Sequence, residues 1–165
     1  MSIPKVPRVA SGVAVLIAAA LVSLLPRAGA AQGNPMVGTW TLNVAKSKYS
    51  PGPAPKSTTV TWEAAGQGLK LTSKGVDAEG KPTNVQYTVN FDGKDYPVTG
   101  SSDFDAVALK KVDASTMEAT RKMGGKMVQT ARYVLSKDGK TYTVTAKGTN
   151  AKGQQVNNVV VYDKK

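Results

Sequence analysis

The chain runs to 165 residues, carries 22 Lys and Arg against 11 Asp and Glu for a formal net charge of +11, and has neither Cys nor His. Without those two residue types there is no Ser-His-Asp triad, thiol nucleophile, disulfide, histidine acid–base step or zinc site of the usual ligand sets. No Gly-rich phosphate loop and no dinucleotide fingerprint occurs either, so no cofactor and no enzyme activity are expected, and carboxylates are the only conventional acid–base groups left.

Residues 1–30 have the layout of a secretory signal peptide: a basic start at Lys5 and Arg8, an apolar run from Val9 to Leu25, and a small-x-small site at Ala28-Gly29-Ala30. The apolar run is also long enough to stay as an uncleaved anchor, but no Cys follows it to carry a lipid. The expectation is cleavage before Ala31 and a periplasmic or extracellular protein of one domain, residues 31–165, with no later transmembrane segment. Discounting Lys5, Arg8 and Arg27 takes the net charge from +11 to +8. Lysines spread over turns and strand edges keep a β-protein soluble and its edges unpaired. The alternative is weak association with an anionic envelope surface. Nucleic acid is not an expected partner, because no stripe interleaves basic and aromatic residues. The expected oligomeric state is a monomer.

The first strand-like run is 36–44, where Trp40, Leu42 and Val44 alternate with Thr39, Thr41 and Asn43. Period-two alternation marks a half-buried strand. Gly38, two residues before Trp40, leaves room for a ring or backbone to approach. Residues 45–58 hold three prolines within five positions, which forbids helix and ladder pairing there. They predict an extended loop, either a stiff connector or a lid. From residue 57 the pattern is strand, turn, strand to the end. Predicted strands cover 57–64, a run around Leu69 and Leu71, the run carrying Val85, Tyr87, Val89 and Phe91, a short strand at 96–100, then 105–112, 116–123, 126–136, 141–148 and 155–163. The turns between them are rich in Gly, Asp and Asn, notably Asp92-Gly93-Lys94-Asp95 and Lys137-Asp138-Gly139-Lys140.

Residues 60–89 align with 133–162 at a shift of 73, matching at Gly66, Thr72, Lys74, Gly75, Ala78, Gly80 and Asn84. Two three-strand meanders of one build therefore flank a middle section, through duplication or because hairpins of equal length need the same turn residues. A meander of this length must deal with its edges, and closure removes them. The fold class expected is all-β, an antiparallel up-and-down meander barrel of about 8–10 strands, with a β-sandwich as the alternative.

A Gly-x-Trp on the first strand of such a meander, here Gly38 and Trp40, resembles the lipocalin and fatty-acid-binding (calycin) group. That resemblance implies a barrel around an apolar pocket and, as in lipocalins, a late arginine packed over the tryptophan, for which Arg132 is the first positional candidate and Arg121 the second. The chain departs from the group in lacking a helix; the proline-rich loop stands where fatty-acid-binding proteins carry two. More narrowly, Gly38–Asn43 and Lys46–Ser57 resemble a widespread group of uncharacterised secreted bacterial proteins, which brings a localisation and no activity.

Asp92, Asp95, Asp103 and Asp105 fall within fourteen residues. Paired carboxylates serve glycoside hydrolysis or calcium, but Asp92 and Asp95 belong to a hairpin turn, and Asp103 and Asp105 lack calcium-loop spacing, so turn and surface roles are expected and no metal site. In 116–123, Met117, Ala119, Arg121 and Met123 share a face; if it is internal, Arg121 points into the barrel. It would then need a partner, which a ligand's carboxylate or an internal one supplies; otherwise it reaches solvent or stacks on a ring. Met117, Met123 and Met127 are candidate apolar wall. In 126–136 the apolar face is Met127, Ala131, Tyr133 and Leu135, with Arg132 on the other side. The expectation is an interior site for a small apolar or amphipathic, anionic ligand, with Trp40, Trp62, Tyr87, Phe91, Arg121 and Arg132 as ligand-binding residues. The rival is a cell-envelope interaction protein with a filled barrel and a basic surface.

Overall fold

The structure, a computed structural model, describes residues 33–165; the stretch read as a signal peptide lies outside the described residues. Ten strands follow one another: β1 (Gly38–Lys48), β2 (Ser57–Ala65), β3 (Gly68–Val76), β4 (Pro82–Val89), β5 (Tyr96–Pro97), β6 (Ala106–Lys111), β7 (Thr116–Met123), β8 (Lys126–Leu135), β9 (Thr141–Thr149) and β10 (Gln155–Lys164), with no helix among the described residues. The tight turns form where the sequence offers Asp and Asn: Asp92, Asp113, Asp138 and Asn150 each accept a hydrogen bond from the backbone N–H two residues on, so the side chain imitates a turn of backbone.

All ten strands belong to one antiparallel sheet in the order β4-β3-β2-β1-β10-β9-β8-β7-β6-β5. Sequence neighbours lie side by side, and the first strand pairs with the last. The sheet curls until its edges almost meet: Gln86 on β4 and Thr99 beyond β5 exchange both backbone hydrogen bonds, at 3.0 and 2.9 Å. The result is a nearly closed meander barrel, and the sandwich alternative is not realised.

Inward residues at one end pack solid. Trp40, Leu69, Val89, Val107 and Leu109 are fully buried. The Trp40 indole Nε1–H donates to the Met36 carbonyl at 2.9 Å, and Tyr142 meets the ring edge-on at 4.9 Å and 81°, a favoured aromatic geometry. The cation over Trp40 is Lys164, with Nζ 5.2 Å from the ring, and not the late arginine that the lipocalin resemblance implies. Gly38 makes space for it, since a Cβ there would stand 3.3 Å from Lys164 Cε.

Three local expectations are corrected. Val44 is exposed and not in line with Trp40 and Leu42, because the β1–β10 register shifts between Asn43 and Lys48. There the Asn43 side chain takes the Lys46 N–H, and Ser47 Oγ donates to the Asn43 carbonyl, so local side-chain bonds replace ladder bonds and make a bulge. Strand β1 continues to Lys48, which shortens the proline-rich loop to residues 49–56. Met127 is exposed: the β7–β8 register slips between Arg121 and Lys122 beside their turn, which moves Met127 out of the interior.

The internal repeat has a steric meaning. Gly75 and Gly148 are equivalent positions, on β3 and β9. A Cβ on Gly75 would stand 2.1 Å from the Ser57 carbonyl oxygen, and one on Gly148 would stand 2.0 Å from that of Val128, the latter with φ +141°. Both middle strands of the two meanders thus press onto the preceding strand at a point only glycine tolerates. Gly148→Ala is expected to destabilise the fold by more than about 1 kcal/mol, read as a lower urea midpoint at unchanged slope; a midpoint equal to wild type would mean the strands can part there at no cost.

Candidate functional site

The other end of the barrel is not filled. A cavity of about 220 Å³ lies among the inward side chains of β2, β3, β4, β7, β8, β9 and β10. Its strand residues, such as Val60, Ser73, Val85, Ala146 and Asn158, sit toward the end that carries the proline-rich loop, the segment 98–105 and the turns after β3, β7 and β9. Two of these segments supply wall residues directly, Tyr49 and Phe104. Ser50 is held to β10 by its N–H on Asn158 Oδ1 at 2.8 Å and its carbonyl on the Asn157 N–H at 2.8 Å, which anchors the loop next to Tyr49.

Arg121 is the one charged side chain of the lining. Alternation on β7 places it on the inward face with the buried Met117 and Ala119. Its Nη1 donates to Gln129 Oε1 at 3.0 Å and its Nη2 to the Tyr133 hydroxyl at 3.1 Å. Phe104 covers the guanidinium face, 4.7 Å from ring centroid to Cζ. Gln129 is itself buried and fixed by donating to the Thr149 carbonyl at 3.2 Å, so the arginine is held in place by a chain of neutral groups. No carboxylate pairs with it among the described residues. Burial works against its charge, and the neighbouring phenols of Tyr133 and Tyr87 more than offset this, so its pKa is raised and it remains a cation.

The rest of the lining is aromatic and aliphatic. Tyr87, Tyr133, Tyr142 and Tyr162 reach in from four strands. Trp62 lies behind them, edge-on to Tyr87 and Tyr133 at 6.0 Å each, and Tyr142 stacks on Tyr162 at 4.8 Å. Burial pushes the Tyr87, Tyr142 and Tyr162 phenols up and Tyr49 up to about 12. All four therefore carry their protons at neutral pH and can donate hydrogen bonds.

Of the residues singled out from sequence, Arg121 and Tyr87 line this cavity. Trp40 and Trp62 are buried to within 1% and belong to the packed core, the second directly beneath the cavity wall. Phe91 falls just past β4, half-buried against the core, and lines a surface hollow of about 250 Å³ with Gln67, Asn90 and Asp92. Arg132 stands on the outer face of β8, where it pairs with Glu118. It lines an external trough of about 440 Å³ with Thr120, Thr130 and Lys147; this is larger than the interior cavity, but its walls are solvated and its ion pair is already matched. Sequence reasoning missed Tyr49, Phe104, Tyr133, Tyr142 and Tyr162. Tyr133 was legible as an inward residue of β8; the two loop residues carry no periodic signal. The clustered aspartates disperse: Asp92 takes the Tyr96 hydroxyl, Asp95 takes Lys122, Asp103 the Ala151 N–H and Asp105 the Gly124 N–H.

No protein-family model matches the chain and no curated protein matches it. Solved structures do. The zebrafish ileal bile acid-binding protein complexed with cholic acid aligns at 14% identity and a TM-score of 0.50, covering 79% of this chain and 99% of that one. The structure of EF1p2_mFAP2b bound to DFHBI aligns at 9% identity and a TM-score of 0.46, covering 79% and 94%. The first likeness agrees with the barrel fold.

Two outcomes follow from the lining. A charge held among neutral partners costs folding free energy, and its removal also leaves the buried Gln129 Oε1 without its donor. Arg121→Met should therefore change the stability of the ligand-free protein by no more than about 1 kcal/mol in either direction, by thermal unfolding; a loss several times larger would make Arg121 a structural residue. For the phenols, the folded state holds the proton more tightly than the unfolded chain. Their contribution is intact below pH 10.0 and lost as pH climbs toward about 12, the Tyr49 value. Urea midpoints should hold level from pH 7 to 9 and fall above 10; midpoints level to pH 12 would mean these phenols do not hold their protons more tightly in the fold.

Proposed function

We propose that this protein is an exported, monomeric barrel that binds a small amphipathic acid in its interior, with the acid group on Arg121 and the apolar part among the tyrosine and valine side chains below. The observation that carries this reading is an inward guanidinium beside a cavity, held by Gln129, Tyr133 and Phe104 and matched by no carboxylate among the described residues. Desolvated cations need a counter-charge, and the planar fork of a guanidinium suits a carboxylate, gripped at two points. The lining contains no Asp or Glu, which favours binding over catalysis and disfavours cationic ligands. Export rests on the layout of residues 1–30, and the bacterial envelope on the likeness of the Gly38–Asn43 and Lys46–Ser57 stretches to secreted bacterial proteins. The filled-barrel rival requires an interior without space, and about 220 Å³ of cavity speaks against it.

Native mass spectrometry of the exported protein, purified without detergent, tests both parts. The expected result is a monomer beginning at Ala31 with a reproducible added mass of a small acid, lost in Arg121→Met. A clean mass in wild type, together with unchanged tryptophan fluorescence on adding organic acids, would overturn the carrier role; an intact leader would overturn cleavage before Ala31 and leave the anchored alternative.

A further inference from the structure

We infer that the cavity is built for a single-ring aromatic carboxylate, of the size of benzoate to hydroxycinnamate, and not for a long-chain lipid or a sterol. This rests on the proposal that the cavity is a ligand site and sharpens it to a chemical class.

Volume sets the first bound. An apolar cavity of about 150 Å³ holds one benzene, and sites for drug-sized ligands span about 300–1,000 Å³. The 220 Å³ here lies between them: room for one ring, a carboxylate and a few further atoms. A sixteen-carbon acid has nearly three times the carbons of benzene and would leave much of its chain outside.

Shape sets the second. Tyr142 and Tyr162 stack with only 17° between their planes, 4.8 Å apart, so each ring is backed by the other. Tyr87 and Tyr133 are held nearly perpendicular to Trp62, at 76° and 86°, so they are backed by a fully buried ring. With Tyr49 and Phe104 at the mouth, six of the lining residues are aromatic. Rings exchange favourable stacked and edge contacts with another ring; a flexible chain gains no such geometry and gives up rotamer freedom on binding.

Hydrogen-bond balance sets the third. Arg121 has five N–H donors, and two of them have protein acceptors among the described residues. The phenols on the strands add protonated hydroxyls inside the barrel. An alkyl chain laid across them would leave polar groups unpaired, at a cost. An aromatic acid bearing a ring hydroxyl or ether oxygen offers them acceptors while its carboxylate takes the guanidinium edge that Phe104 leaves open. The expected order is therefore hydroxylated ring acid, then plain ring acid, then fatty acid.

Calorimetric titration of the exported protein with 4-hydroxycinnamate, benzoate, 4-hydroxybenzyl alcohol, palmitate and cholate tests the assignment. One equivalent of 4-hydroxycinnamate should bind at least tenfold tighter than palmitate or cholate. Arg121→Met should weaken both ring acids at least tenfold and the neutral benzyl alcohol by a clearly smaller factor, and Tyr162→Phe should weaken the hydroxylated acid several-fold and benzoate less. Should either variant fail to fold, a shift of the 4-hydroxycinnamate absorption band on binding wild type, abolished by competing benzoate and not by palmitate or cholate, reads the preference for ring acids. If palmitate or cholate binds tightest and still depends on Arg121, this inference falls and the amphipathic-acid proposal stands. If no acid binds, both fall.

Discussion

The structure depends on the ladder between β1 and β10. The pairs from Trp40 with Lys164 to Asn43 with Val161 join the two halves of the chain, and without them the meander would be two open sheets with four edges. Closure satisfies backbone groups that water would otherwise have to serve, and it turns every second residue inward around one axis. The remaining seam, between β4 and β5, is held by the single Gln86–Thr99 exchange. Gly100 sits against it so closely that a Cβ would stand 1.8 Å from the Asn84 carbonyl oxygen.

Closure alone does not decide whether the interior is core or cavity; side-chain volume does. At the end of Trp40, the indole, Met36, Leu69, Val89 and Leu109 fill the bore completely. At the other end the inward positions are Ser73, Val85, Ala146 and Val160, small or β-branched residues that cannot meet across it. The tyrosines between the two regimes form the cavity wall, with an apolar body packed against the core and a hydroxyl left over, a role for which an amphipathic ring is suited. The barrel thus has a packed plug at one end and a lined space at the other.

Arg121 is the point where local stability is given up. Its partners are neutral, and its position on an otherwise apolar face breaks the pattern that builds the rest of β7. Such breaches of local consistency concentrate where a protein works. On the outer surface the opposite holds: Arg132 with Glu118, Lys122 with Asp95 and Lys70 with Glu63 are exposed pairs, of the kind that contributes little to stability and keeps edges apart.

By itself the sequence determined the strands, their turns and which residues share a face of β7, because period-two alternation and turn chemistry are local properties of ten residues or fewer. It also marked Arg121, since a charge on an apolar strand face is visible without coordinates. Only the tertiary structure decided which inward residues meet a void and which meet each other. Trp40 and Trp62, both on apolar faces, became core because the neighbours across the barrel are large there. Phe104 and Tyr49 became wall because loops of no period were carried over the mouth. The bulge at Asn43–Lys48 turned Val44 outward, where side-chain bonds within β1 and from Val161 of β10 to Ser47 replace the ladder. A cavity is the difference between what a closed sheet encloses and what distant side chains fill, and no stretch of sequence holds both.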